Sequence, residues 1–264
     1  MKPNPRSFLS DLKAAVRIGH PQSVELALGN LRAWPYVAAN DQLPAGFIKQ
    51  VIHPAARMLA RRPAVELSPW LDSPLAAYRS LAAASLAYRF LGTGDVDTRI
   101  LHRAAKDARE EVRLVLGGAL SDLDLDQPVP PALPELAGSW LVDDAPKVRA
   151  VALNFIPPLA AAYQTQIPAW LLPLGSDPND GVIFALAKAL KDLAESGFSD
   201  IVLALLDDWV SAPRLNVWLI ARSISGSWAA SYPQEARAIL LTLQSKTKRT
   251  KEISNALKAL QRHG

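Results

Sequence analysis

The 264-residue sequence contains no cysteine. No disulfide framework can staple such a chain and no thiolate can hold a metal, so a reducing setting, the cytoplasm, is expected. Long apolar runs are missing as well. No run of eighteen apolar residues occurs, and the opening "MKPNPRSFLSDLKAAV" carries prolines and charges where a signal peptide needs an apolar centre, so neither a membrane span nor secretion is expected. Histidine is scarce: His20, His53, His102 and His263 share no helix-face spacing with carboxylates, and no zinc site follows from them. Nucleophile elbows and phosphate-cradling glycine loops are absent; "FLGTGDVD" holds a Gly-x-Gly, but no strand precedes it. "SDLDLDQP" sets Asp122, Asp124 and Asp126 at alternate positions, as at the start of a calcium loop. Gln127 and Leu133 stand where that loop needs Gly and Glu, so neither a metal nor another cofactor is expected. Finally, neither sign of charge dominates: a net +4 permits a polyanionic partner without requiring one.

What the sequence does contain is apolar content of 50%, enough for a real core, arranged in a repeat. Val148, Val151, Ala152 and Phe155 occupy i, i+3, i+4 and i+7, the apolar stripe of an amphipathic helix. The stripe recurs at Val112, Val115, Leu116, Ala119; at Val182, Ala185, Leu186, Ala189; at Val217, Ile220, Ala221, Ile224; and at Ile253, Ala256, Leu257, Leu260. Taking the first residue of each stripe as its anchor, successive anchors from Val112 to Ile253 lie 36, 34, 35 and 36 residues apart. Earlier copies stand at Val24, Ala27, Leu28, Leu31 and at Tyr78, Leu81, Ala82, Ser85. Pro21, Pro74, Pro146, Pro178 and Pro213 precede anchors as helix-opening residues, with Ser73, Asp144 and Asp177 as candidate caps, and another apolar segment of helical length lies upstream of each turn.

Such a unit is a helical hairpin that cannot bury its stripe alone, and a period in the mid-thirties predicts stacking into an α-solenoid. The expected fold is therefore all-α: a superhelix of about seven hairpins, with residues 1–264 forming a single repeat domain. An insertion near 35–53 contributes a short helix and loop near Pro44, and the proline-rich segment 123–134 reads as the longest loop of the regular array.

Trp70, Trp140 and Trp209 each stand eight residues before an anchor. A ring kept in repeat register is a packing wedge. Trp140 with Asp144, four residues on, is nevertheless the one catalytic candidate pair. A different face of the second helices carries Arg79, Arg109, Arg113, Arg149, Arg214, Arg222 and Lys258, with Trp218 in the same series. If second helices line the concave side, these side chains form a ladder in a basic groove. The plain alternative is arginine stems covering apolar surface.

"DDAPKVRAVAL" and "RLNVWLIARSISGSWAASYPQEARAIL" resemble HEAT repeats, and the second is similar to the HEAT-like repeats of bacterial DNA alkylation-repair proteins, a likeness that covers mainly residues 138–262. The resemblance implies a HEAT-like solenoid that binds duplex DNA on a basic concave face, with Arg149 matching the family's DNA-facing arginine. Glycosylases of that family use aromatic side chains with an Asp. Here "GTGDVDTRILHRA" offers Asp97 without a neighbouring Trp, which weighs against base excision and leaves DNA binding. The alternative from a different class is a non-catalytic scaffold that holds an acidic protein or peptide in the same groove.

Overall fold

Prolines and side-chain caps decide where the helices begin. Pro5, Pro21, Pro35, Pro146 and Pro233 occupy first helical positions, where the missing N–H has no intrahelical partner to lose. At Pro74, Pro178 and Pro213 the helix starts later than the sequence suggests, and the proline stays in the turn. Two of those helices are opened by asparagine caps: Asn179 accepts from the Val182 N–H at 3.3 Å and Asn216 from the Leu219 N–H at 3.0 Å.

The computed structural model describes residues 3–123, 128–248 and 250–263, and every regular element among them is helical. The chain falls into two compact units, residues 1–136 and 137–264, where the sequence reads as a single repeat domain. The first unit contains α1 (Pro5–Ile18), α2 (Pro21–Gly29), α3 (Pro35–Ala38), α4 (Ala45–Phe47), α5 (His53–Leu59), α6 (Ala64–Leu67), α7 (Ala76–Thr93), α8 (Thr98–Ala105) and α9 (Glu110–Leu120). The division falls within α10 (Ala132–Leu141). The second unit contains α11 (Pro146–Ala152), α12 (Ile156–Tyr163), α13 (Ile167–Leu171), α14 (Asp180–Glu195), α15 (Ser199–Ser211), α16 (Val217–Ile224), α17 (Pro233–Lys246) and α18 (Thr250–His263). The segment near 35–53 supplies α3 and α4, and α4 runs through a π turn, Ile48–Ile52, directly into α5. Asp124, Asp126 and Gln127 lie outside the described residues. No helix among the described residues is long and apolar enough to cross a membrane.

In the first unit α7 is the central helix, with α5 and α9 packed on it. Its run Ala82, Ala83, Ala84 is fully buried, since small side chains admit neighbours on more than one side. In the second unit α11, α14, α16 and α18 pack in chain order, while α13, α15 and α17 form another row. The repeated apolar stripe is the core of both units. Val24, Leu28, Leu81, Val112, Leu116, Val148, Val182, Leu186, Ile220 and Ile253 are all buried. Ala185, Leu257 and Leu260 are only half-buried.

The tryptophans expected as wedges differ in depth. Trp140 is buried with its ring edge-on to Phe155 at 6.0 Å, whereas Trp70 is half-buried. Trp209 is buried, donates its indole N–H to the Leu172 carbonyl oxygen at 2.9 Å and lies against Gly175, where a Cβ would overlap the ring. Gly175→Ala is therefore expected to destabilise the protein by about 1–3 kcal/mol, because a rigid buried ring cannot step aside. Thermal melting measures this, and an unchanged midpoint would mean that the ring has room to move.

Candidate functional site

The basic ladder divides into two chemically different sets. Arg79 lies near the start of α7 and Arg149 near the start of α11, and both guanidinium groups turn back onto their own loops. Arg79 Nη1 donates to the carbonyl oxygens of Ser73 and Pro74 at 2.8 and 3.2 Å, while its Nε reaches Asp107 at 2.7 Å. Arg149 repeats this pattern on the carbonyls of Asp143 and Asp144 at 2.6 and 3.2 Å, and on Asp177 at 2.7 Å. Arg113 Nη1 donates to the carbonyls of Asp107 and Ala108 at 2.7 and 3.0 Å.

The acceptors are themselves periodic. Asp107, Asp143 and Asp177 each accept, through Oδ1, the backbone N–H two residues on, at 2.8, 2.8 and 2.9 Å, and Ser73 does the same through Oγ at 3.2 Å. Side chain and arginine together clamp the turn between two helices. These three arginines are thus tied down by the fold, and Arg79 and Arg149 are largely covered in their ion pairs. The sequence signal that would have exposed the clamp is a six-residue interval, Ser73 to Arg79, Asp107 to Arg113 and Asp143 to Arg149, recurring with the repeat. The turn residue is Asp143, one before the Asp144 suggested by the sequence.

Arg109 is also engaged. Its Nε and Nη2 donate to Glu111 Oε1 at 2.9 and 2.5 Å and its Nη1 to the Asn40 carbonyl at 3.0 Å. Burial pushes the Glu111 carboxyl up, but the hydrogen bonds from Arg109 and backbone N–H groups outweigh it and hold the group below its ordinary value. Of the catalytic candidate pair, Trp140 is buried with its ring against Phe155, while Asp144 stands exposed in the turn.

The remaining predicted residues, Arg214, Trp218, Arg222 and Lys258, all belong to the second unit. Arg214, Arg222 and Lys258 are exposed. Arg222 on α16 and Lys258 on α18 stand five residues after their anchors, Val217 and Ile253, on two helices that pack together. Trp218 meets a residue that the sequence pattern missed. Phe184 of α14 is 59% exposed and lies edge-on to Trp218 with ring centroids 4.5 Å apart.

Two clefts flank this aromatic pair. One, of about 650 Å³, is lined by Lys188 and Lys191 of α14, by Arg222, and by Ser225 and Ser227 just beyond α16. The other, of about 460 Å³, combines Arg214 and Asn216 with Asp177 and Asp180. Lys188 and Lys191 pair with Asp192 and Glu195 one turn on, at 2.8 and 3.6 Å. Exposed pairs of this kind contribute about 0.2–1 kcal/mol, so a phosphate can displace the carboxylates at little cost. The face offers ring surfaces for stacking and three cations for anions. Among the described residues no cluster of His, Asp and Glu is arranged to hold a metal ion.

A second polar cluster, also missed, lies in the first unit. His53 Nδ1 stands 2.9 Å from the Tyr88 hydroxyl, Arg57 pairs with Asp122, and the Arg57 guanidinium sits 4.9 Å from the Tyr88 ring centroid. His53, Tyr88 and Asp122 are 35 and 34 residues apart, one repeat each, which is the cue that isolated histidine spacing does not give. The imidazole packs against Gly118, where a Cβ would come within 3.4 Å of it. Burial lowers the His53 pKa, the Arg57 charge lowers it further, and Asp122 opposes both. The folded protein therefore binds this proton less readily than the unfolded chain. Stability from this site is complete above the unfolded value of about 6.5 and is lost as the pH falls below it. Unfolding midpoints in urea between pH 7.5 and 5 should drop, and His53→Gln should flatten that dependence; an unchanged slope in the variant would assign the effect elsewhere.

No protein-family model and no curated protein matches the chain. Among solved structures it is similar to two crystal structures of engineered proteins. One is 17% identical, with 98% of this chain and 99% of that one covered and a TM-score of 0.40. The other is 16% identical, with coverage of 99% and 98% and a TM-score of 0.38.

Proposed function

We propose that the chain is a HEAT-like α-solenoid that binds DNA without excising bases, using the α14–α16 face as its contact surface. A buried stripe and a Ser/Asp–Arg clamp that share one mid-thirties interval support the repeat architecture. The observation that carries the binding function is the exposed Phe184 ring set against the half-buried Trp218 and bordered by Lys188, Lys191 and Arg222. Nucleic acids are gripped by that combination, cations for phosphate and flat rings for bases. Relationship to the alkylation-repair proteins and a cytoplasmic setting belong to the same proposal. Base excision does not, because Trp140 is enclosed.

Labelled duplex and single-stranded oligonucleotides titrated at two salt concentrations provide the test. Affinity should fall steeply with salt, and Arg222→Ala should reduce the log–log slope by about one. Trp218→Ala should cost about 1–3 kcal/mol on single strands, where bases are free to stack. Failure to bind either oligonucleotide at low salt sinks the proposal. The scaffold alternative, a protein ligand on the same face, is favoured by one feature, the exposed Asp180 carboxylate in the neighbouring cleft, which opposes phosphate.

A further inference from the structure

The first unit carries an open cleft of about 910 Å³ between the C-terminal half of α1 and the segment from α5 to α6. Its apolar floor consists of Val16, Pro54 and Met58, all half-buried, with Pro63 exposed beside them. Ile18 and Val65, sequence neighbours of lining residues, are 70% and 76% exposed. Around that floor stand five cations. Two are occupied: Arg57 pairs with Asp122, and Arg62 pairs with Glu66 while donating to the Gly19 carbonyl at 3.2 Å. The Arg62 bond to Gly19 ties the end of α1 to the loop after α5. Lys13, Arg17 and Arg61 are exposed and have no carboxylate partner among the described residues.

We infer that this cleft binds an acidic peptide segment of a protein partner, with an aliphatic side chain seated on the Met58 floor and carboxylates paired to Lys13, Arg17 and Arg61. Charge complementarity selects an anionic ligand, since Glu66 is the only carboxylate lining the cleft and it is already held. The lining contains no aromatic ring, so unpaired bases have nothing to stack on, in contrast to the α14–α16 face. A concave site does not suit a membrane surface, whereas an adaptable Met among prolines suits an apolar peptide anchor. The site is independent of the DNA-binding face and shares no residue with it.

The experiment selects binders of the full-length protein from a displayed library of random short peptides and measures their affinity by fluorescence anisotropy. Selected peptides should be rich in Asp and Glu and carry at least one Leu, Ile or Val. Their affinity should fall about tenfold or more for the triple variant Lys13→Glu, Arg17→Glu, Arg61→Glu, whose melting should stay near wild type because all three side chains are exposed. Met58→Ser should weaken the same peptides, and Arg222→Ala should leave them unaffected. Peptides without acidic enrichment, or acidic peptides that bind the triple variant as well as wild type, overturn the inference. So does duplex DNA that displaces the peptides and loses its own binding in the triple variant, because the cleft is then a nucleic-acid site.

Discussion

Arg149→Ala is expected to lower the unfolding free energy by about 3–5 kcal/mol, far more than an ordinary surface ion pair contributes. Its side chain is 13% exposed and that of its partner Asp177 is 5% exposed. Removing the arginine strands a buried carboxylate together with the carbonyl oxygens of Asp143 and Asp144, which it holds at 2.6 and 3.2 Å. Water reaches such a site poorly, so the lost bonds are not replaced. Arg149→Lys should fall between wild type and Ala, because a single ammonium keeps the charge but cannot span the carbonyls and both carboxylate oxygens with a planar fork. Equilibrium urea unfolding reports the difference. Wild-type stability in Arg149→Ala would return this side chain to the pool available for phosphate. Combining Arg79→Ala, Arg113→Ala and Arg149→Ala should give a protein that fails to fold, and its loss of DNA binding would then say nothing about a groove.

The helices were legible because burial imposes a period. Val112, Val148, Val182, Val217 and Ile253 announce the stripe by apolarity alone, and all are buried. A period of 3.6 residues fixes where a Cβ points, but it does not fix where a long side chain ends. Arg79 and Arg149 leave their helices on the expected side and then fold back onto the preceding loop, which no helix-face angle reveals. Arg222, on the same face five residues past its anchor, has no loop carboxylate to meet and stays exposed. Phe184 was hidden for the opposite reason. In "VIFALA" the residues adjacent to it are all apolar, and the outward side is marked only by Lys188, one turn further on. The neighbouring helix brings Trp218 to 4.5 Å and gives the ring an aromatic partner outside the core. The His53–Tyr88–Asp122 cluster follows the repeat period and not the helical one, so spacing along a single helix face does not reveal it.

Val182 and Phe184, two residues apart on α14, should respond to the same substitution in opposite ways. Val182 is fully buried in the repeated stripe, and Val182→Asp places a carboxylate there without a partner, expected to cost more than about 4 kcal/mol. The protein should be largely unfolded at room temperature, or should neutralise the group and show a strongly pH-dependent stability. Phe184 is 59% exposed, so Phe184→Asp should change stability by no more than about 0.5 kcal/mol. Its effect should fall on binding: the new carboxylate stands beside Trp218 and faces the cleft of Lys188, Lys191 and Arg222, removing a stacking surface and repelling phosphate. Circular dichroism melts and oligonucleotide titrations on the two variants separate the outcomes. A Val182→Asp protein that melts as wild type does across the pH range would break the register of the stripe and with it the repeat. A Phe184→Asp protein that binds DNA as wild type does would remove the α14–α16 face from the interaction.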